Sequence, residues 1–213
     1  MSSSIEYDKK YWDYQSRIGR IGGMLNLFKF ENHISPNDTV LDFGCGGGYL
    51  LETINCEKKL GFEINEHALS RARSVGLEVT DDWDCIEDGS VDTIVSNHAL
   101  EHVMEPLSVL SILYKKLKVG GTMVIVVPCE QFGQEQFSYK ANDVNQHVYT
   151  WCPQSLGNLI RHAGFRVVMC DTLHHCWTPD FETAYADDNY HDRCVEQARS
   201  TGTFQVKAVV RKD

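Results

Sequence analysis

The sequence predicts an α/β fold, a seven-stranded and mostly parallel sheet with helices on both faces, and three observations carry that expectation. From Asp38 onward short apolar runs alternate with helical stretches, the rhythm of βαβ units. The run 122–128 is apolar almost throughout, as suits a central strand buried on both faces. A glycine-rich turn, residues 44–48, follows the first strand, at the edge where open parallel sheets take ligands.

Strands are expected at 39–43, 59–63, 77–80, 91–96, 122–128, 165–170 and 204–210, with helices at 48–55, 65–75, 106–117 and from Pro153 to near Gly164. Pro153 suits a first helical turn, where its missing N–H costs nothing. Gly120-Gly121 reads as a turn ahead of the fifth strand. Residues 5–32 are rich in helix formers and aromatics, but Gly19 and Gly22-Gly23 interrupt them, which predicts two helical pieces. The expected organisation is one domain over 1–213: a helical cap at 1–37, then a core at 38–213. Residues 171–202, polar, His-rich and too long for a hairpin connection, read as a lid or insertion in that core.

Composition narrows the partners. Thirty acidic against twenty basic residues leave a net charge of -10, which repels a phosphate backbone and predicts no nucleic-acid partner. The basic pairs Lys9-Lys10 and Lys115-Lys116 are too short to reverse that. No apolar run approaches the roughly 20 residues that cross a bilayer, and the polar start Met1 to Ser4 lacks a leader's pattern, so a soluble, cytoplasmic protein is expected. Eight cysteines contain no C-x2-4-C pair, which argues against structural zinc and fits a reducing compartment.

The glycine turn alone is ambiguous, since a helix start with unpaired N–H groups suits a phosphate or a carboxylate. Tyr49 stands where the dinucleotide fingerprint needs its third glycine. Asp42, beside the turn, would repel a pyrophosphate and attract an ammonium. Glu63, at the end of the next strand, is placed to accept hydrogen bonds from ribose hydroxyls. An ammonium, a sulfonium, a carboxylate and a ribose together describe S-adenosylmethionine, the expected cofactor.

Val40 to Gly48, Gly61 to Ile64, Asp88 to Asp92 with Ser96 to Val103, and Leu117 to Gly121 resemble the motifs of class I S-adenosylmethionine-dependent methyltransferases, whose fold is Rossmann-like. The resemblance covers about residues 38–128. It implies that Asp42 and the backbone at Gly44 and Gly46 meet the methionine portion, Glu63 the ribose, and the backbone near Asn97 the ammonium. It puts adenine near Asp81, Asp82 and Trp83, although the third-strand region departs from the family pattern and lacks its common Asp-Ala pair. His102, in a Leu-Glu-His-Val pattern, becomes a residue of the cofactor pocket.

Tyr11-Trp12 with Gln15, Asn97 to Val103, and Asn145 to Trp151 together resemble a sugar O-methyltransferase subfamily of polysaccharide biosynthesis, with rhamnose-methylating domains of large-virus glycan enzymes among its relatives. That resemblance makes Tyr11 and Gln15 cofactor contacts and implies a sugar or glycan acceptor, such as a deoxyhexose hydroxyl. An alcohol must lose its proton during attack, so a positioned base is wanted. His147, in a polar and aromatic loop, is the leading candidate, followed by His98 after the fourth strand, with Glu130 and Asp143 nearby. His98 and His102 are spaced to share one helix face. Glu130, Asp143 and a histidine have no ligand spacing that demands a metal, and none is expected. A small-molecule N- or carboxyl-methyltransferase and a non-catalytic cofactor-binding module are the alternatives.

Overall fold

A computed structural model describes residues 9–130, 139 and 145–213, apart from the side chains of residues 9–11 and 14. Its centre is a seven-stranded sheet in the order β3-β2-β1-β4-β5-β7-β6. The strands are β1 (Thr39–Phe43), β2 (Lys58–Phe62), β3 (Glu78–Thr80), β4 (Val91–Asn97), β5 (Leu117–Pro128), β6 (Arg166–Leu173) and β7 (Gln205–Arg211). All pairings are parallel except those of β7, which runs antiparallel to β5 and β6.

Alternation along the strands sorts the core into two layers. Leu41, Phe43, Ile94, Met123 and Ile125 face α4 (Pro106–Lys116) and α5 (Pro153–His162), where Leu110, Leu113, Leu156 and Ile160 are buried. Val40, Val95, Val124 and Val126 point the other way, against Leu50 and Leu51 of α2 (Tyr49–Thr53) and against Phe30. Both faces of the central strands are thus covered, which is why they read as continuous apolar runs. The crossover helix between β2 and β3, α3 (Glu66–Ser74), starts at Asn65, whose side chain accepts from the N–H groups of His67 and Ala68.

Two expectations about glycine are corrected. The N-terminal segment is not two pieces: α1 (Lys9–Asn26) runs unbroken through all three of its glycines, followed by a 3-10 turn, Leu27–Lys29. A Cβ at Gly19 would stand 2.2 Å from the Tyr49 ring, and one at Gly23 would stand 2.4 Å from the Tyr49 carbonyl oxygen. These glycines let α1 lie against the start of α2, and that packing outweighs their low helix propensity. Likewise Gly120-Gly121 does not end an element. β5 passes through both residues, because the Gly120 N–H is taken by the Lys212 carbonyl at 2.7 Å.

The segment 171–202 first completes β6 and then forms α6 (Phe181–Ala184) and α7 (Tyr190–Thr201). Ala184, Tyr190 and Cys194 pack with Leu25 of α1, joined by Ile21, Trp177 and Phe181, so cap and insertion share one small core. No helix among the described residues is long and apolar enough to cross a membrane.

Candidate active site

The carboxyl ends of β1, β2 and β4 are brought level by the registers Asp42↔Gly61 and Asp42↔Val95. Asn97 pairs with Val126, and Pro128 with Gln205, which extends this edge across β5 to the start of β7. A cavity of about 1190 Å³ opens along it. Typical small-ligand sites are about 300–1,000 Å³, so the cavity has room for a cofactor and an acceptor together.

Its first wall is the glycine turn. Gly44 and Gly46 have φ of 74° and 52°, left-handed values that favour glycine. A Cβ on Gly44 would strike Ala99 at 2.3 Å, whereas one on Gly46 would project into open space, leaving that backbone accessible to a ligand. Glu63 clamps the turn: Oε2 accepts from the Gly46 N–H at 2.9 Å, while Oε1 accepts from Ile64 and Asn65, both at 2.8 Å. Asp42 is 2% exposed and its Oδ2 has no hydrogen-bond partner among the described residues. Burial, with a smaller contribution from Glu63, pushes its carboxyl up to about 7. A buried acceptor left unsatisfied is costly, and the ammonium of S-adenosylmethionine would supply the missing donor. Trp83 stacks on Phe62 with centroids 3.6 Å apart and lines the same cavity, as do Trp12, Gln15, Asn97 and Val103.

The second wall is a cluster that sequence reasoning did not assemble. Glu101 has no exposed surface. His98 Nδ1 lies 3.3 Å from its Oε1, and the Nε2 atoms of His102 and His147 both lie 3.9 Å from the same oxygen. The His102 and His147 rings meet edge to face at 4.9 Å. The backbone fixes the arrangement: the N–H groups of Val148 and Tyr149 donate to the Glu101 carbonyl, at 2.9 and 3.1 Å, latching the later loop onto the one after β4. Burial pushes the Glu101 carboxyl up, but His98 and then His102 more than offset it and hold it below the usual carboxylate range. Ligand atoms of Glu101, His102 and His147 all lie within 4.8 Å of one another, close enough to hold one metal ion.

The expected helix bearing both His98 and His102 is only a 3-10 turn, Leu100–His102. His98 precedes it with φ 55°, and the two imidazoles meet at Glu101 Oε1. Asp81 and Asp82 are exposed and lie outside the cavity lining; Asp82 instead accepts from the Asp84 N–H. Glu130 is also exposed and outside the lining. Asp143 and the Tyr11 side chain lie outside the described residues. Within 171–202, Cys176 and Trp177 reach the cavity, whereas Asp180 and Glu182 pair with Arg193 and Arg17. The unforeseen residues are Glu101, Lys29 and Gln205. Glu101 stood inside a recognised motif, yet only its burial between imidazoles marks it.

The strand order, the glycine turn and the acid after β2 define a class I S-adenosylmethionine-dependent methyltransferase. Comparison with known proteins agrees: residues 17–169 match the family described as "Methyltransferase domain", and the chain belongs to that family. It is similar to the ubiquinone biosynthesis O-methyltransferase of Chromobacterium violaceum, 28% identical over 190 residues, covering 75% of this chain and 82% of that one. The protein of the same name from Nitrosococcus oceani is 32% identical over 127 residues, covering 53% of this chain and 54% of its own length. A SAM-dependent methyltransferase from Archaeoglobus fulgidus shares the fold, with a TM-score of 0.68 at 17% identity, covering 96% of this chain and all 100% of that one. The chain thus carries a methyltransferase domain, on a fold shared with S-adenosylmethionine-dependent methyltransferases. The relatives carry the name of quinone rather than sugar chemistry, so the sugar O-methyltransferase subfamily expected from the sequence is not the one they bear out.

Proposed function

We propose that the protein is an O-methyltransferase for an aromatic hydroxyl, and that His147, backed by Glu101, takes the proton of that hydroxyl. One observation carries the reading: three imidazoles lie 3.3 to 3.9 Å from one oxygen of a fully buried carboxylate, on the wall of the cofactor cavity. The bound cofactor supplies an electrophilic methyl group on a sulfonium. This chain's residues must align the acceptor oxygen and remove its proton. A carboxylate behind an imidazole orients the ring and stabilises the imidazolium formed when the proton moves. A carboxylate acceptor, already ionised at neutral pH, would need no such arrangement.

Two considerations favour an aromatic hydroxyl over the deoxyhexose expected from the sequence. A phenol has a pKa of about 10, low enough for a histidine to compete for its proton, whereas a sugar alcohol is far more basic once ionised. The lining around the cluster includes Val103, Met104, Val109 and Val148, apolar faces suited to a ring. The names of the relatives agree with this acceptor class. Incubation with tritiated S-adenosylmethionine and a matched panel of catechols, deoxyhexoses, amines and carboxylates tests the proposal. Label in the catechols supports it, label only in the sugars restores the deoxyhexose, and label only in amines or carboxylates overturns methylation of a hydroxyl.

A second reading of the cluster rests on its compactness. With ligand atoms within 4.8 Å of one another, Glu101, His102 and His147 could together bind a divalent cation that takes the acceptor oxygen directly. Turnover lost to a chelator and restored by added divalent metal would favour that arrangement; chelator-resistant turnover favours the base.

A further inference from the structure

The cavity has a cationic wall as well as acidic ones. Lys29 closes the 3-10 turn after α1 and is 2% exposed, yet it lines the same cavity as Asp42 and Glu101. Its Nζ donates to Gln205 Oε1 at 2.7 Å and to Asn97 Oδ1 at 3.1 Å. Gln205 is in turn fixed by donating from Nε2 to the His175 carbonyl at 2.6 Å. Both acceptors are neutral amides, and among the described residues no carboxylate lies within ion-pairing distance of Nζ. Burying an ammonium without a counter-ion is expensive, and such a group is retained where an anion completes it.

The positions of its partners indicate which ligand that anion belongs to. Asn97 ends β4 and Gln205 begins β7, and in the order β1-β4-β5-β7 both stand away from the glycine turn that follows β1. Lys29 therefore lies beyond Asn97 from the glycine turn, toward the acceptor half of the cavity. Cys176, Trp177, Asn97 and Gln205 wall this corner, and it is continuous with the space in front of His147.

We infer that Lys29 binds a carboxylate of the acceptor, so that the substrate class is an aromatic hydroxy acid whose acid group meets Lys29 while its hydroxyl faces the Glu101 cluster. This rests on the methyl-acceptor reading above for the hydroxyl, but the anion contact stands or falls separately. The probes are dihydroxybenzoate and its neutral counterpart catechol, titrated calorimetrically into the protein loaded with S-adenosylhomocysteine. The wild type is expected to bind the acid at least about thirtyfold more tightly than catechol, as for a buried charge pair. Lys29→Met should abolish that preference, and Lys29→Gln should do the same while keeping an N–H donor for the two amides. Affinity for S-adenosylhomocysteine should be unchanged in both variants. If instead it falls in both variants while the preference for the acid persists, the carboxylate served is the cofactor's, and the inference is overturned. It is also overturned if the wild type shows no preference for the acid. A Lys29-dependent preference without methylation of either probe would sink the proposed O-methylation and leave the anion site standing.

Discussion

His98 Nδ1 lies 3.3 Å from Oε1 of Glu101, and that carboxylate is held entirely out of water. The contact depends on an unusual backbone: His98 has φ 55°, uncommon for a residue with a side chain, and is pinned there by its N–H to the Val126 carbonyl at 2.8 Å. A left-handed residue at the end of β4 turns the chain back sharply, so that His98 and Glu101 face one another across a few residues. Replacing Glu101 with Gln keeps the shape and removes the charge. Turnover is expected to fall by about a hundredfold or more, as for loss of acid-base assistance. Binding of S-adenosylhomocysteine should change little, and calorimetry beside steady-state kinetics checks the separation.

Asp42 is expected to link cofactor binding to pH. Burial first, and Glu63 second, raise its carboxyl to about 7, so the unliganded protein holds a proton there in mildly acidic solution. The unfolded chain releases that proton near about pH 4. Asp42 thus contributes to stability below that value and loses the contribution as pH rises toward 7. A cationic cofactor needs the ionised form, so binding expels the proton. Affinity for S-adenosylhomocysteine is expected to fall up to about tenfold per pH unit below 7. Calorimetry in buffers of different ionisation enthalpy should register the release, and Asp42→Asn should remove it.

Gly46 and Gly76 form a matched pair. Both have positive φ, 52° and 84°, and a Cβ at either would meet nothing within 4 Å. Alanine at each is expected to cost about 1–2 kcal/mol in stability through backbone strain alone. Only Gly46→Ala should also weaken S-adenosylhomocysteine, since only Gly46 lines the cavity. Equal affinities in the two variants would show that the turn is structural and does not touch the cofactor.

Much of this fold was legible because parallel strands buried on both faces leave a plain record, and β1 begins and ends where the apolar run 39–43 does. The geometry of the glycine turn was legible for a related reason, since Gly44, Gly46 and Glu63 are constrained by nearby backbone. What escaped depends on distant chain segments. Gly19 and Gly23 read as breakers because their partner, Tyr49, belongs to another helix. Glu101 read as part of a motif because His147, which completes its surroundings, arrives on a much later loop. Lys29 carried no signal in the sequence, and only Gln205 and Asn97, from β7 and β4, explain its burial. Asp81 and Asp82 erred in the opposite sense: acids in the expected place turned outward.

The central claim is that His147 removes the proton of the acceptor hydroxyl, and one comparison tests it most directly. Methyl transfer from tritiated S-adenosylmethionine to dihydroxybenzoate is measured for the wild type and for His147→Ala across pH. The variant is expected to lose about a hundredfold or more in kcat at neutral pH, to recover partly as rising pH ionises the acceptor in solution, and to keep its affinity for S-adenosylhomocysteine. Turnover equal to the wild type at neutral pH, with the same pH profile, would contradict the account.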